Sequence, residues 1–144
     1  MYKPIGSWVA IPTPFNESGS IDWKGFKVLI DHHAAHGTST LLVMGSAGEV
    51  TMLTVEERRE IIKRVIKYAK GKIPVFFGAT FPTTEETIKF SQYAEAEGAD
   101  GLVYTAPPYL LPPQTALAEH LLACAKSVSI PVGVYNNPSR VGVF

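Results

Sequence analysis

Hydrophobic residues in this chain follow two alternating patterns. Five short runs rich in Val, Ile, Leu, Phe and Tyr are each bounded by Gly, Pro or Thr, as is typical of buried parallel strands. These runs are SWVAIPTPF, STLLVMG, IPVFFGAT, DGLVYTA and IPVGVYNN. Between them, apolar positions recur with helical period and predict helices over residues 22–36, 54–70, 83–97 and about 114–128.

Local signals mark the ends of these predicted helices. Thr54 precedes Glu57, and Thr83 precedes Glu86, at the spacing of a capping box. In that motif the two residues satisfy amides that the first helical turn leaves without an acceptor. Three helices run into a glycine, the residue that most easily adopts a left-handed C-cap. These glycines are Gly37, Gly71 and Gly98.

The repeat of strand and helix, at a spacing of about 30 residues, is the βα unit that makes successive strands parallel. A doubly wound sheet would carry a glycine fingerprint after its first strand, and AIPTPFNESGSID has none. Strands that end in polar, Gly-rich or Pro-rich loops favour a (β/α)8 barrel, an α/β fold whose active sites lie at these strand ends. Since only five strands and four helices are found, we expect residues 1–144 to form one partial TIM-barrel domain without its C-terminal part.

Composition narrows the classes of ligand. Lys and Arg together number 13, and Asp and Glu together also number 13. The chain therefore lacks the excess of basic residues that would indicate binding to nucleic acid or to a membrane surface. No apolar run is long enough to span a bilayer and no secretory signal opens the chain, so a cytoplasmic protein is expected. Cys124 lies in a helical pattern and is expected to be a buried, reduced thiol. The four histidines lack metal-ligand spacing, so no metal is expected.

Three loops that follow strands carry the candidate chemistry: GSAGEVTMLTVEER, TAPPYLLPPQ and YNNPSRVGV. From about Ile5 to Phe144 the sequence resembles the dihydrodipicolinate synthase and N-acetylneuraminate lyase family of Schiff-base, pyruvate-dependent aldolases. GSAGE resembles the family's Gly-x-x-Gly-Glu pyruvate loop, YNNPSR its Tyr-Asn-x-Pro-x-Arg segment, and VAIPTPF its first strand. The resemblance implies pyruvate and an aldehyde as substrates, and no cofactor.

The resemblance assigns roles to residues of the first and last of these loops. Consecutive backbone amides in a glycine turn can hold a carboxylate, and the resemblance gives this role to the amides of Ser46 and Ala47. It also implies that the Ser46 hydroxyl relays protons to Tyr135, which shuttles them during carbinolamine formation and dehydration. Where the family often has a second hydroxyl residue, this chain has Ala47, so one side-chain hydrogen bond to the substrate is missing.

The resemblance also implies a role for one residue in subunit assembly and for another in binding the aldehyde. Tyr109 resembles the tyrosine that reaches across a tight dimer interface to complete a hydroxyl triad in the neighbouring subunit, which implies a homodimer or homotetramer. Arg140 suits bidentate pairing with a carboxylate. Its counterpart in the synthase branch holds the acid group of aspartate semialdehyde, which favours that branch. Pro108 and Leu110 depart from it, because they replace polar positions of its PYYN segment.

Several of these residues have a structural interpretation as well. A tyrosine in a strand usually fills a core. We expect this for Tyr104, whereas the following NNPSR favours a functional role for Tyr135. Glu49 is expected to bond its own loop rather than to act in catalysis, and Arg140 could instead form a surface ion pair. The segment EERREIIKR is expected to be a solvated helix face with pairs between residues i and i+4.

The family's mechanism needs a Schiff-base lysine on the sixth strand, and that lysine is not in this chain. The lysines that are present lie in helical patterns, near the start or in a turn, where none is desolvated in a barrel mouth. We therefore expect condensation of pyruvate with an aldehyde, most simply L-aspartate 4-semialdehyde, only when a missing C-terminal half is present. Another sugar-acid aldolase or dehydratase of the family and a non-catalytic half-barrel assembly module are the alternatives.

Overall fold

The computed structural model describes residues 4–141, with side chains through residue 139. The chain divides into two compact units, Met1–Gly78 and Ala79–Phe144. The first unit contains β1 (Trp8–Ala10), α1 (Trp23–Ala35), β2 (Thr40–Val43), a 3₁₀ helix (Val50–Met52), α2 (Val55–Ala69) and β3 (Val75–Gly78). The second contains α3 (Thr84–Glu97), β4 (Gly101–Tyr104), α4 (Gln114–Lys126), β5 (Val132–Val134) and α5 (Pro138–Val141).

The first unit is built on three parallel strands. Trp8 of β1 lies opposite Thr40 of β2, and Leu41 of β2 lies opposite Val75 of β3. Both β2 and β3 are almost entirely apolar and buried, which is expected of parallel strands that are covered on both faces. Helices α1 and α2 supply the covering layer, with Ile30 and Ile61 fully buried.

The second unit repeats the arrangement with two parallel strands, in which Leu102 of β4 lies opposite Val132 of β5. Tyr104 is fully buried, and its hydroxyl donates to Ser91 Oγ of α3 at 2.9 Å. Burial raises the pKa of that phenol. The predicted core role of Tyr104 is thus confirmed. The thiol of Cys124 is also buried, as predicted, and burial raises its pKa.

The predicted helix boundaries hold to within two residues. At the start of α2 the Thr54 amide donates to Glu57 Oε2 at 2.8 Å, and the Glu57 amide donates to Thr54 Oγ1 at 3.2 Å, which confirms the capping box. At α3 the Glu86 amide donates to Thr83 Oγ1 at 3.2 Å, but the Glu86 carboxylate accepts from the Thr83 hydroxyl at 2.7 Å. The predicted glycines all have positive φ, at +78°, +76° and +97°.

Two short elements were absent from the sequence interpretation, the 3₁₀ helix Val50–Met52 and helix α5. Both are one turn long and follow loops, where hydrophobic period gives no signal. Within residues 4–141, none of the helices combines the length and the apolar composition that crossing a bilayer requires.

Candidate active site

The loop that follows β2, residues 44–49, forms a tight turn in the first unit. Met44 and Glu49 have positive φ, at +58° and +52°. The Gly48 amide donates to the Gly45 carbonyl at 3.0 Å, and the Glu49 amide donates to the Ser46 carbonyl at 3.2 Å. This geometry leaves Ser46 and Ala47 exposed at the tip of the turn.

Glycines hold this turn against the sheet. A Cβ at Gly78 of β3 would lie 2.0 Å from the Met44 carbonyl oxygen, so only glycine fits there. Gly48 is buried, and its carbonyl accepts from the Thr13 hydroxyl at 2.6 Å. The backbone of the loop is therefore fixed by neighbours on both sides, and its tip can act as a preformed surface for a ligand.

Arg58 supports the same loop and corrects a prediction. The segment EERREIIKR was expected to be solvated, and Glu60 does pair with Arg64 at 2.6 Å. Arg58, however, is only 8% exposed, and its Nη2 donates to the Val50 carbonyl at 2.6 Å. Burial lowers its pKa. The i to i+4 spacing could not separate Arg58 from its solvated neighbours, because its acceptor lies in the 3₁₀ helix that follows the 44–49 loop.

The Ser46 and Ala47 amides are free to bind a ligand. Among residues 4–141, no protein group accepts a hydrogen bond from either amide. Two successive unengaged N–H groups in a turn can bind an anion when they converge, and the Ser46 hydroxyl lies on the same exposed turn. Ala47 contributes an amide but no hydroxyl. Glu49 bonds within the loop through its backbone, and its carboxylate makes no capping hydrogen bond.

Tyr135 follows β5 directly in the second unit. Its backbone amide donates to the Tyr104 carbonyl at 2.8 Å, and its side chain is 47% exposed. Asn137 Nδ2 donates to Tyr135 Oη at 3.2 Å, and the Ser139 hydroxyl donates to Asn137 Oδ1 at 2.7 Å. These two hydrogen bonds link the Tyr135 phenol oxygen to the side chains of the YNNPS segment and help to orient the ring.

The other two predicted site residues lie in this unit as well. Tyr109 is 99% exposed and has φ +69°, a rare conformation for a bulky residue. Leu110 and Leu111 beside it are also exposed, and clustered exposed apolar side chains mark interaction surfaces. Arg140 lies in α5, but its side chain is outside the described residues.

Sequence reasoning missed two hydroxyls at the ends of β3 and β4. Thr80 and Thr105 each come two residues or fewer after a strand. The Thr105 amide donates to Thr80 Oγ1 at 2.9 Å, so the side chain of one loop fixes the backbone of the other. The available signal was a threonine just past the carboxyl end of a barrel strand, where active-site residues lie.

Residues 3–144 match the sequence model of the dihydrodipicolinate synthetase family. The chain belongs to this family. Among its relatives is 4-hydroxy-tetrahydrodipicolinate synthase of Alcanivorax borkumensis, which is 39% identical over 94% of this chain and 46% of the relative. The protein of the same name in Chelativorans sp. is 41% identical with the same coverage.

Solved structures agree with this membership. Dihydrodipicolinate synthase from Aquifex aeolicus superimposes with a TM-score of 0.91 at 39% identity, covering 95% of this chain and 46% of that chain. Chloride-inhibited dihydrodipicolinate synthase from Acinetobacter baumannii, solved in complex with pyruvate, gives 0.90 at 36%, covering 95% and 47%. The chain spans about half the length of the relatives it matches.

These matches confirm two of the predictions. The resemblance to the dihydrodipicolinate synthetase family is confirmed, and so is the fold class, because the strands and helices correspond to the N-terminal part of the family's (β/α)8 barrel. The roles of Ser46, Ala47, Tyr109, Tyr135 and Arg140 stay predictions.

Proposed function

We propose that this chain is the N-terminal part of a 4-hydroxy-tetrahydrodipicolinate synthase, a lyase of lysine biosynthesis that condenses pyruvate with L-aspartate 4-semialdehyde. The observation that carries the proposal is the 44–49 loop, with its exposed, unengaged amides at Ser46 and Ala47. Family membership supplies the reaction class, since the relatives named above are synthases and one binds pyruvate.

The loop would bind the carboxylate of pyruvate. The amides of Ser46 and Ala47 donate to its two oxygens, and this leaves the keto group free to react. A carboxylate bound by several N–H donors in a fixed turn requires no reorganisation during the reaction. The lysine that attacks the keto carbon is supplied by the part of the protein beyond these residues.

Tyr135 would carry the proton transfers of Schiff-base formation. As the lysine amine adds to C2 of pyruvate, the carbonyl oxygen takes a proton from the phenol and becomes the carbinolamine hydroxyl. The phenolate of Tyr135 takes a proton back from the amine nitrogen. It then gives that proton to the hydroxyl, which leaves as water while the nitrogen lone pair forms the C=N bond of the imine. Asn137 supports the role, because its amide donates to the phenol oxygen at 3.2 Å and orients it.

Arg140 and Tyr109 would act on the aldehyde and on assembly. A guanidinium pairs in bidentate fashion with a carboxylate, which suits the acid group of aspartate semialdehyde. Tyr109, fully exposed beside two exposed leucines, would enter a neighbouring subunit in a homodimer or homotetramer. The protein would then be active only as an oligomer.

A sugar-acid aldolase or dehydratase of the same family is the second candidate. The observation in its favour is the loop at residues 107–111, where Pro108 and Leu110 occupy polar positions of the synthase branch and Leu110 is exposed. Such an enzyme would form the same pyruvate imine but would accept a different aldehyde.

The decisive experiment is denatured mass spectrometry of the intact protein after incubation with pyruvate and borohydride, which reduces a lysine imine irreversibly. A single reduced pyruvate adduct on a lysine outside residues 1–144, with turnover of aspartate semialdehyde, is expected. An adduct with turnover of sugar-derived aldehydes alone would select the second candidate. The absence of any adduct would overturn both and leave a non-catalytic assembly module.

A further inference from the structure

An open cavity of about 170 Å³ lies between α1 and α2 in the first unit. None of its lining residues belongs to the candidate active site. Its floor is apolar and closely packed, because Phe26, Ile30 and Val65 are at most 3% exposed. A cavity of about 150 Å³ is enough to hold one benzene ring. The volume and floor therefore suit a single aromatic ring.

Two aromatic side chains form the walls. Trp23 of α1 lies near Phe26, with ring centroids 6.0 Å apart and an interplanar angle of 23°. Tyr68 of α2 is fixed by its hydroxyl, which donates to Asp31 Oδ2 at 2.5 Å. Both rings are partly exposed and line the cavity. Lys72 Nζ also lies 3.5 Å from the centroid of the Tyr68 ring.

Cations line the opening of the cavity. The Arg64 guanidinium lies 4.3 Å from the centroid of the Trp23 ring, and Lys27 Nζ lies 5.3 Å from the centroid of Tyr68. Arg64 is already paired with Glu60 at 2.6 Å. Within the described part of the chain, Lys27 makes no salt bridge.

The carboxylates near the cavity do not neutralise the positive charge of these cations. Asp31 pairs with Lys72 at 2.9 Å, and hydrogen bonds from Tyr68 and Lys72 hold the pKa of Asp31 below its usual value. Its carboxylate is thus engaged by two donors. Counting Lys27, Arg64 and Lys72 against Asp31 and Glu60 leaves one positive charge at the cavity, which matches a monovalent anion better than a phosphate dianion.

We propose that this cavity binds a small aromatic carboxylate, a single ring that bears one carboxylate group. The ring lies on the apolar floor between Trp23 and Tyr68. The carboxylate points outward to the Lys27 ammonium and to the free N–H groups of Arg64. This site is independent of the proposed pyruvate chemistry, because it needs neither the 44–49 loop nor Tyr135.

The test uses the intact protein labelled with 5-fluorotryptophan and observed by ¹⁹F NMR. The Trp23 resonance is assigned by its loss in Trp23→Phe. Benzoate is expected to shift that resonance saturably and to leave the Trp8 resonance in place, because Trp8 does not line the cavity. Benzylamine, which has the same ring but the opposite charge, is expected to cause no saturable shift.

The matched pair of variants is Lys27→Gln and Lys24→Gln, since both lysines are exposed on α1 but only Lys27 lines the cavity. Lys27→Gln is expected to weaken benzoate binding by about threefold, the scale of a surface charge pair. Lys24→Gln is expected to leave it unchanged, and an unmoved Trp8 resonance shows that each variant folds. The proposal is overturned if Trp23 does not respond to benzoate, if benzylamine binds as well, or if the two variants behave alike. A negative result in the experiment with pyruvate and borohydride would cause none of these three outcomes. Failure of the proposed function can therefore be distinguished from failure of this proposal.

Discussion

The backbone amide of Tyr135 donates to the carbonyl oxygen of Tyr104 at 2.8 Å, but the two tyrosine side chains differ in their exposure to solvent. Tyr104 is fully buried and bonds Ser91 of α3, whereas the Tyr135 side chain is 47% exposed. The hydrogen bond extends the β4–β5 ladder by one residue. A buried tyrosine thus fixes the backbone from which an accessible tyrosine projects.

Tyr135→Phe is predicted to lower kcat by about 10²–10⁴-fold, the usual contribution of a general acid–base group. The fold should be preserved, because the backbone bond to Tyr104 does not involve the hydroxyl. The measurement is steady-state turnover with pyruvate and aspartate semialdehyde. Tyr68→Phe, which removes a tyrosine hydroxyl of α2 that the proposed mechanism does not use, is the control and should retain wild-type turnover. Equal rates in Tyr135→Phe and wild type would remove Tyr135 from the mechanism.

Ala47→Ser is predicted to lower the KM for pyruvate by about tenfold or more, the value of one added hydrogen bond to a charged group, because the acceptor is the carboxylate. Ala47 is exposed at the tip of its turn, so a hydroxyl can be added without a clash with the core. The expected kcat is close to that of wild type, since the new bond stabilises the bound substrate and the transition state equally. The measurement is the KM for pyruvate in both proteins, and an unchanged KM in Ala47→Ser would show that this loop does not hold the carboxylate.

Arg140→Ala is predicted to raise the KM for aspartate semialdehyde by about tenfold or more, because a charge-assisted pair to the carboxylate is lost. Turnover with a neutral aldehyde, such as propanal, should be unaffected. The measurement is the steady-state kinetics of Arg140→Ala and wild type with each of the two aldehydes. A similar loss with both would mean that Arg140 supports the structure of α5 rather than the substrate.

The sequence could predict the elements whose signals are local. Thr54 and Glu57 are three residues apart, so their capping box needs no tertiary information, and it formed as expected. The left-handed glycines after the helices are equally local. Strand positions followed from apolar runs with Gly and Pro at their ends. The βα order left a doubly wound sheet and a barrel open, and the loops at the strand ends and the absent glycine fingerprint then favoured the barrel.

Features that depend on distant partners could not be predicted. Arg58 sits among charged neighbours, yet it is buried because the Val50 carbonyl lies beside it in space. The bond from the Thr105 amide to the Thr80 hydroxyl joins loops 25 residues apart. Even the Glu86 carboxylate departs from the motif, since it accepts from a hydroxyl and not from the capping amide.

Gly78→Ala is predicted to destabilise the protein, because the new Cβ would lie 2.0 Å from the Met44 carbonyl oxygen, an atom of the backbone that cannot rotate away. We expect a loss of about 1–3 kcal/mol in the free energy of unfolding, the range for overpacking in a core. Gly133→Ala is the matched control, since it also lies in a strand but its Cβ would meet nothing closer than 3.8 Å. Denaturant unfolding of both variants measures the difference. If both lose the same stability, the close approach of β3 to the 44–49 loop does not hold that loop in place. If only Gly78→Ala loses stability, the KM for pyruvate should rise with it, because displacement of Met44 moves the turn that carries Ser46 and Ala47.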